Sequence, residues 1–186
     1  MKTFLKTTAA SIILACATTT AHAADMEPYA GIGFGSFTTD FGSGFKSAAA
    51  FGGFLQGGVA FNQYIAAELR IGSVNSSKIS NTPNAKSKIG IFTSYLLKPQ
   101  FPMTEQASIY GLLGATTTKV TVSSAIGGAT SATKTQVSFG AGLEYKVQNA
   151  VSIGAEYVQY SNKANGTGTS TDTKVTGISA TLNYHF

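Results

Sequence analysis

Tryptophan is absent from the 186 residues, cysteine occurs once, histidine twice and proline four times. A lone cysteine excludes a disulfide framework, and with no Cys pair, His pair or Asp-rich loop there is no metal cluster. Charged side chains make up 11% of the chain, where soluble domains carry about 25%. The formal net charge of +5 falls to +3 without Lys2 and Lys6, too small for a nucleic-acid partner. Beyond the N-terminal region no apolar run is long enough for a spanning helix, which needs about 20 residues. What is abundant is glycine, at 21 residues, beside a hydrophobic fraction of 43%. Few charges, no spanning helix and many small residues leave a compact all-β domain or a transmembrane barrel.

Lys2 and Lys6 precede a short apolar stretch from Ala9 to about Ala17, and Ala21-His22-Ala23 follows as a small-x-small cleavage pattern. The order is that of a secretory signal peptide. Residues 1–23 are expected to be removed after Ala23, leaving 24–186 as one domain. A competing reading comes from Ile13-Leu14-Ala15-Cys16, which loosely resembles a lipoprotein box and would acylate Cys16. Under cleavage after Ala23 the cysteine leaves, and His185 is the remaining histidine.

Along the rest of the chain apolar residues recur with period two, the mark of β-strands. Val137, Phe139, Ala141, Leu143, Tyr145 and Val147 alternate with Gln136, Ser138, Gly140, Gly142, Glu144 and Lys146. The split recurs at Val151, Ile153, Ala155 and Tyr157, at Ala30, Ile32 and Phe34, and at Ile178, Ala180, Leu182, Tyr184 and Phe186. In a β-sandwich the apolar face would be the core and the other would meet water with many charges. Here the second face is mostly Gly, Ser and Ala, which suits the inside of a narrow barrel.

The connections alternate in length. Asn62-Gln63 and Gln148-Asn149 read as tight turns, and 101–108 as a slightly longer turn with Pro102. Polar stretches at about 38–47, 73–87, 121–135 and 161–173 read as loops. Short turns at one end and long loops at the other are the layout of an outer-membrane barrel. Three turns and four loops require eight strands, with both ends of the domain on the short-turn, periplasmic side. Phe61, Tyr145 and Phe186 are expected in the aromatic belt of that side, and Phe51, Tyr157 and Phe37 in the outer one.

The motifs Tyr29-Ala30-Gly31-Ile32-Gly33-Phe34-Gly35, Ala67-Glu68-Leu69-Arg70, Gly140-Ala141-Gly142-Leu143-Glu144-Tyr145 and the terminal Tyr184-His185-Phe186 resemble the small outer-membrane β-barrel family. That family includes the OmpA membrane domain, the OmpX/Ail group and opacity-like proteins. The resemblance implies an eight-stranded antiparallel up-and-down transmembrane β-barrel in the bacterial outer membrane. It also implies that Leu182, Tyr184 and Phe186 serve as the recognition signal for the barrel-insertion machinery. Membrane lipid and lipopolysaccharide would surround a monomer.

Candidate site residues fall into two sets. Glu68, Arg70, Glu144, Lys146 and Glu156 fall on the polar faces by parity, as does Lys98. Charges inside a narrow barrel must be paired, so an interior ion-pair network is expected, either as a plug or as a gate for small ions. Lys46, Lys78, Lys86, Lys119, Lys134 and Lys163 lie in or beside the loops, against Asp40 and Asp172. This mildly basic surface suits lipopolysaccharide or an anionic host polymer. His185 sits at the periplasmic end, far from where an outer-leaflet lipid enzyme would need its base. Gly31-Ile32-Gly33-Phe34-Gly35 lacks the helix and acidic residue of a dinucleotide loop. Neither an enzyme nor a cofactor is expected. The expected function is a structural or surface-interaction role through four extracellular loops, with a narrow channel for ions or small solutes as the alternative.

Overall fold

The computed structural model describes residues 26–40, 48–75, 77–78, 86–124, 128–161 and 174–186. The proposed leader and its cleavage site lie outside them. Among the described residues nine strands form one sheet: β1 (Glu27–Asp40), β2 (Ala48–Asn62), β3 (Ile65–Val74), β4 (Ser77–Lys78), β5 (Lys86–Pro102), β6 (Ala107–Ser124), β7 (Gly128–Gln148), β8 (Val151–Ser161) and β9 (Lys174–His185). Every ladder is antiparallel. β1 pairs with both β2 and β9, and β3 pairs with β5, so the eight long strands close a barrel. β4 is a two-residue addition to the long-loop end of β5.

Following directly opposed residues from Pro28 through Val59, Ala67, Leu97, Leu113, Phe139, Gln159 and Thr176 returns to β1 at Thr38, ten residues further on. With eight strands, that shear sets a strand tilt of about 41° and a backbone radius of about 8 Å. A tube this narrow has room only for side chains.

The parity of the sequence sorts the two faces. Ile32, Phe34, Leu55, Leu97, Leu113, Leu143, Tyr157, Ile178 and Leu182 point outward and are exposed. An apolar exterior of this extent suits lipid and not water. The inward face carries Glu68, Arg70, Ser94, Lys98, Thr116, Ser138, Glu144, Ser152, Glu156 and Ser179, all buried.

Large rings inside the tube are matched to glycines directly opposite on the next strand. Tyr29 faces Gly58 and Phe54 faces Gly33, Tyr110 faces Gly142, and Phe37 faces Gly177. A Cβ on Gly58 would lie 2.4 Å from the Tyr29 ring, one on Gly142 2.4 Å from Tyr110, and one on Gly33 2.1 Å from Phe54. Each ring leans over its neighbour strand because that position carries no side chain, a cross-strand pairing that fixes register.

The short turns are built from local side-chain hydrogen bonds. Asn62 Oδ1 accepts the amides of Tyr64 and Ile65 at 2.8 and 3.1 Å. Thr104 Oγ1 accepts those of Gln106 and Ala107 at 3.3 and 2.9 Å. Both side chains mimic a backbone turn.

Two expectations are corrected. The stretch 121–135 is mostly strand, because β6 and β7 run on to Ser124 and Gly128, and their ladder continues to the pair Ser124↔Gly128. Alternating Thr and Val favour extended backbone, and the two strands, 18 and 21 residues long, outrun the roughly 9–11 residues that cross a membrane. Phe37 does not join an outer belt. It faces the lumen and is 1% exposed, on the same parity as Gly33 and Gly35.

Candidate functional site

Toward the long-loop end the lumen is filled by rings. Phe37, Phe92 and Tyr160 meet with centroids 5.5–6.0 Å apart, and Phe54 lies 6.4 Å from Phe92. Val74, Leu96, Tyr110, Leu112 and Val158 complete this buried cluster. Ser94, Thr116 and Ser138 form a hydroxyl chain beside it, with both links at 2.7 Å, and Ser138 donates to the Tyr160 carbonyl at 3.0 Å. Three hydroxyls in a dry wall thus satisfy one another.

Below the rings lies a charged tier centred on Arg70. Its Nε donates to Glu68 Oε1 at 2.5 Å. Its two terminal nitrogens donate to Glu156 Oε1 and Oε2 at 2.5 and 2.8 Å. A fork on two carboxylate oxygens is the geometry in which guanidinium binds most specifically. Arg70 stands on β3 and Glu156 on β8, four strands apart in either direction round the barrel, so the pair spans the lumen. The carboxylates have further donors: Tyr29 to Glu68 Oε2 at 2.7 Å, Ser179 to Glu156 Oε1 at 2.8 Å and Tyr110 to Glu156 Oε2 at 3.1 Å. The guanidinium also lies 4.7 Å from the Phe54 ring centre. One cation therefore faces two carboxylates whose side chains are 0–1% exposed, and hydroxyl donors offset the excess negative charge.

A second tier lies nearer the short turns. Lys98 Nζ donates to Glu144 Oε2 and sits 4.3 Å from the Tyr110 ring centre. Ser152 donates to Glu144 Oε1 at 2.6 Å and lies 3.0 Å from His185 Nε2. The His185 ring stacks on Tyr29 with centroids 5.5 Å apart. Ser152, His185 and Glu144 resemble the parts of a hydrolase, but the arrangement differs. A triad carboxylate holds the histidine nitrogen remote from the serine, whereas here Glu144 and Ser152 face the same nitrogen, Nε2, with Glu144 at 3.5 Å. Ser152 is also fully buried and donates its proton to the carboxylate. Beneath this tier a cavity of about 640 Å³ opens at the short-turn end, reaching Tyr29, Lys98, Glu144 and His185.

The structure brings together Glu68, Arg70 and Glu156, and sets Glu144 apart in the second tier. Lys146 joins neither: it is exposed at the mouth of the cavity, two residues from the end of β7, and the cation on Glu144 is Lys98. Of the loop lysines, Lys46 and Lys163 lie outside the described residues. Lys78, Lys86 and Lys119 are on β4, β5 and β6, and Lys134 is exposed on β7. Leu182, Tyr184 and Phe186 point outward, with the last two rings edge to face at 5.2 Å. Sequence reasoning missed Tyr29, Tyr110, Ser152 and Ser179 as network donors. Among the described residues no group of three or more His, Cys, Asp or Glu side chains is placed to hold a metal.

A family model described as "Outer membrane protein beta-barrel domain" matches residues 7–186. No curated protein matches the chain. Among solved structures, Ail, the attachment invasion locus protein of Yersinia pestis, in complex with the heparin analogue sucrose octasulfate, is 25% identical with a TM-score of 0.61, covering 87% of this chain and 99% of Ail. Neisserial surface protein A is 18% identical with a TM-score of 0.65, covering 86% of this chain and 97% of its own. OprG of Pseudomonas aeruginosa is 16% identical with a TM-score of 0.51, covering 89% and 97%.

Proposed function

We propose, for a chain that belongs to the outer-membrane protein β-barrel family, a non-catalytic role at the bacterial surface: contact with an anionic polymer through the extracellular ends of its strands and loops. The observation that carries this reading is the filled lumen. The ring cluster at Phe37, Phe92 and Tyr160 and the cross-lumen fork of Arg70 on Glu156 occupy the axis, so contact with large partners falls to the exterior. In the sequence of the loop stretches and the strand ends beside them, Lys46, Lys78, Lys86, Lys119, Lys134 and Lys163 outnumber Asp40 and Asp172. Ail, the solved relative at 25% identity, holds a heparin analogue. A basic surface over anionic lipopolysaccharide would attract sulfated or phosphorylated chains by charge, which makes the contact sensitive to salt.

The barrel would act as a monomer set in lipid and lipopolysaccharide, after delivery by the insertion machinery that reads Leu182, Tyr184 and Phe186. The test is binding of the refolded barrel to immobilised heparin across a salt gradient. Wild type should be retained at low salt and released as salt rises, and Lys86→Gln/Lys119→Gln/Lys134→Gln should elute earlier. Retention that ignores both salt and the lysines would overturn the reading, as would steady ion conductance of the purified protein in planar bilayers.

A further inference from the structure

The outer surface of the barrel is not uniformly covered. A groove of about 840 Å³ crosses it between β5 and β9. Its floor is Gly111 and Ala141, directly opposed on β6 and β7. One wall is the rung Phe101–Ile109–Leu143, and Tyr157 and Ile178, opposed on β8 and β9, close the far end. These five walls are exposed apolar side chains that point away from the lumen.

Two features of the chain leave this depression. The first is Gly111. Most glycines of the barrel are fixed by close neighbours, but a Cβ on Gly111 would meet nothing nearer than Pro99 Cγ at 3.4 Å. The barrel's own packing does not require glycine there. The second is Pro99. The β5–β6 ladder stops at Leu97↔Leu113 and resumes in the same register at Gln100↔Tyr110, so the rungs at Lys98 and Pro99 are missing. The Gln100 amide donates to the Tyr64 carbonyl, in the turn just before β3, at 2.8 Å, which directs the preceding nitrogen toward β6. In proline that nitrogen has no hydrogen. Gly111, the residue opposite, therefore has neither a side chain nor a donor from β5 for its carbonyl.

We propose that this groove seats one acyl chain of a phospholipid from the periplasmic leaflet. The occupant follows from position. The groove lies within the apolar exterior, where the surrounding solvent is hydrocarbon. Pro99 and Gly111 stand three and four residues from the short-turn ends of β5 and β6. At a rise of about 2.5 Å per residue along the membrane normal for strands tilted near 41°, that is about 8–10 Å from the rim. The hydrocarbon core spans about 25–30 Å, so the groove opens at its β5–β6 end in the lower half and rises along the rung to just past the middle of the bilayer at Ile178, seven residues from the short-turn end of β9. A rung runs perpendicular to the strands, so a chain lying in the groove is inclined to its annular neighbours and exchanges more slowly than they do.

The test is native mass spectrometry of the barrel released from bilayers of phosphatidylethanolamine with added lipopolysaccharide. Wild type should carry one retained phosphatidylethanolamine. Gly111→Leu/Ala141→Leu, which fills the floor, should lose it. Gly57→Leu, at an outward glycine where a Cβ meets nothing nearer than the Tyr29 carbonyl oxygen at 3.9 Å but outside the groove, should keep it. Ala141→Leu alone serves if the double variant does not show the compact unheated band of a folded barrel. Equal retention by the filled variants, no lipid on wild type, or lipopolysaccharide in place of the phospholipid would overturn the assignment.

Discussion

Replacing Arg70 by leucine removes the cation from a tier that keeps two carboxylates. Glu68 and Glu156 would then rely on Tyr29, Tyr110 and Ser179 alone, with side chains 0–1% exposed. Removing one partner of a buried ion pair costs about 3–5 kcal/mol because a charge is left uncompensated. A second route to the magnitude is neutralisation. Taking one proton at pH 7 onto a carboxyl of ordinary pKa near 4.3 costs about 3.7 kcal/mol, at 1.36 kcal/mol per unit. That caps the loss from one extra negative charge at about 4 kcal/mol, and the cap falls to about 1 kcal/mol at pH 5. The assay is urea unfolding in detergent micelles, read from the compact band on unheated gels, at both pH values. Arg70→Leu should lose about 4 kcal/mol at pH 7 and much less at pH 5. Glu68→Gln/Arg70→Leu/Glu156→Gln should come within about 1 kcal/mol of wild type, since a neutral replacement of a buried triad is often harmless. An Arg70→Leu barrel as stable as wild type at pH 7 would refute the reasoning.

Three further outcomes follow from the same geometry. Gly142→Val would drive a side chain into the Tyr110 ring and should cost about 1–3 kcal/mol; adding Tyr110→Ala should recover part of it in the same urea assay. Leu113→Arg, at an outward position 56% exposed, should cost about 2–4 kcal/mol in lipid vesicles and much less in a micelle that can deform around it. Lys98→Met should destabilise less than Arg70→Leu, because Glu144 keeps Ser152 and can gain His185. Adding His185→Gln should deepen that loss in the same urea assay.

Parity made the faces legible. A strand repeats every two residues, so Val137 to Val147 declared an apolar and a small-polar side without knowledge of neighbours. The same parity placed Glu68, Arg70 and Glu156 inward. Height along the axis was not legible. Lys146 has the inward parity of Glu144 but stands two residues nearer the turn, where the tube opens to water. Partners were not legible either, because Ser152 and His185 meet across 33 residues through a register that alternation alone does not set. Phe37 was misread for a related reason: an aromatic near a strand end suggests an interface belt, while the glycine that makes room for it, Gly177, lies on the last strand. The Thr-rich segment after Thr116 gave polar composition the weight of a loop, when its β-branched residues were continuing a hairpin.

Three of the four ring–glycine contacts differ from the Arg70–Glu156 fork in when they can form, Phe37 against Gly177 being the one on the β1–β9 seam. Tyr29 against Gly58 lies within the β1–β2 hairpin and Tyr110 against Gly142 within β6–β7, so both are available to an open sheet. Arg70 reaches Glu156 only across a closed tube. A transition state that precedes closure therefore lacks the fork, and its free energy enters the rate of opening and not the rate of assembly. The cross-lumen pair acts as a latch: it leaves the speed of folding to the hairpins and lengthens the lifetime of the barrel once β1 has met β9.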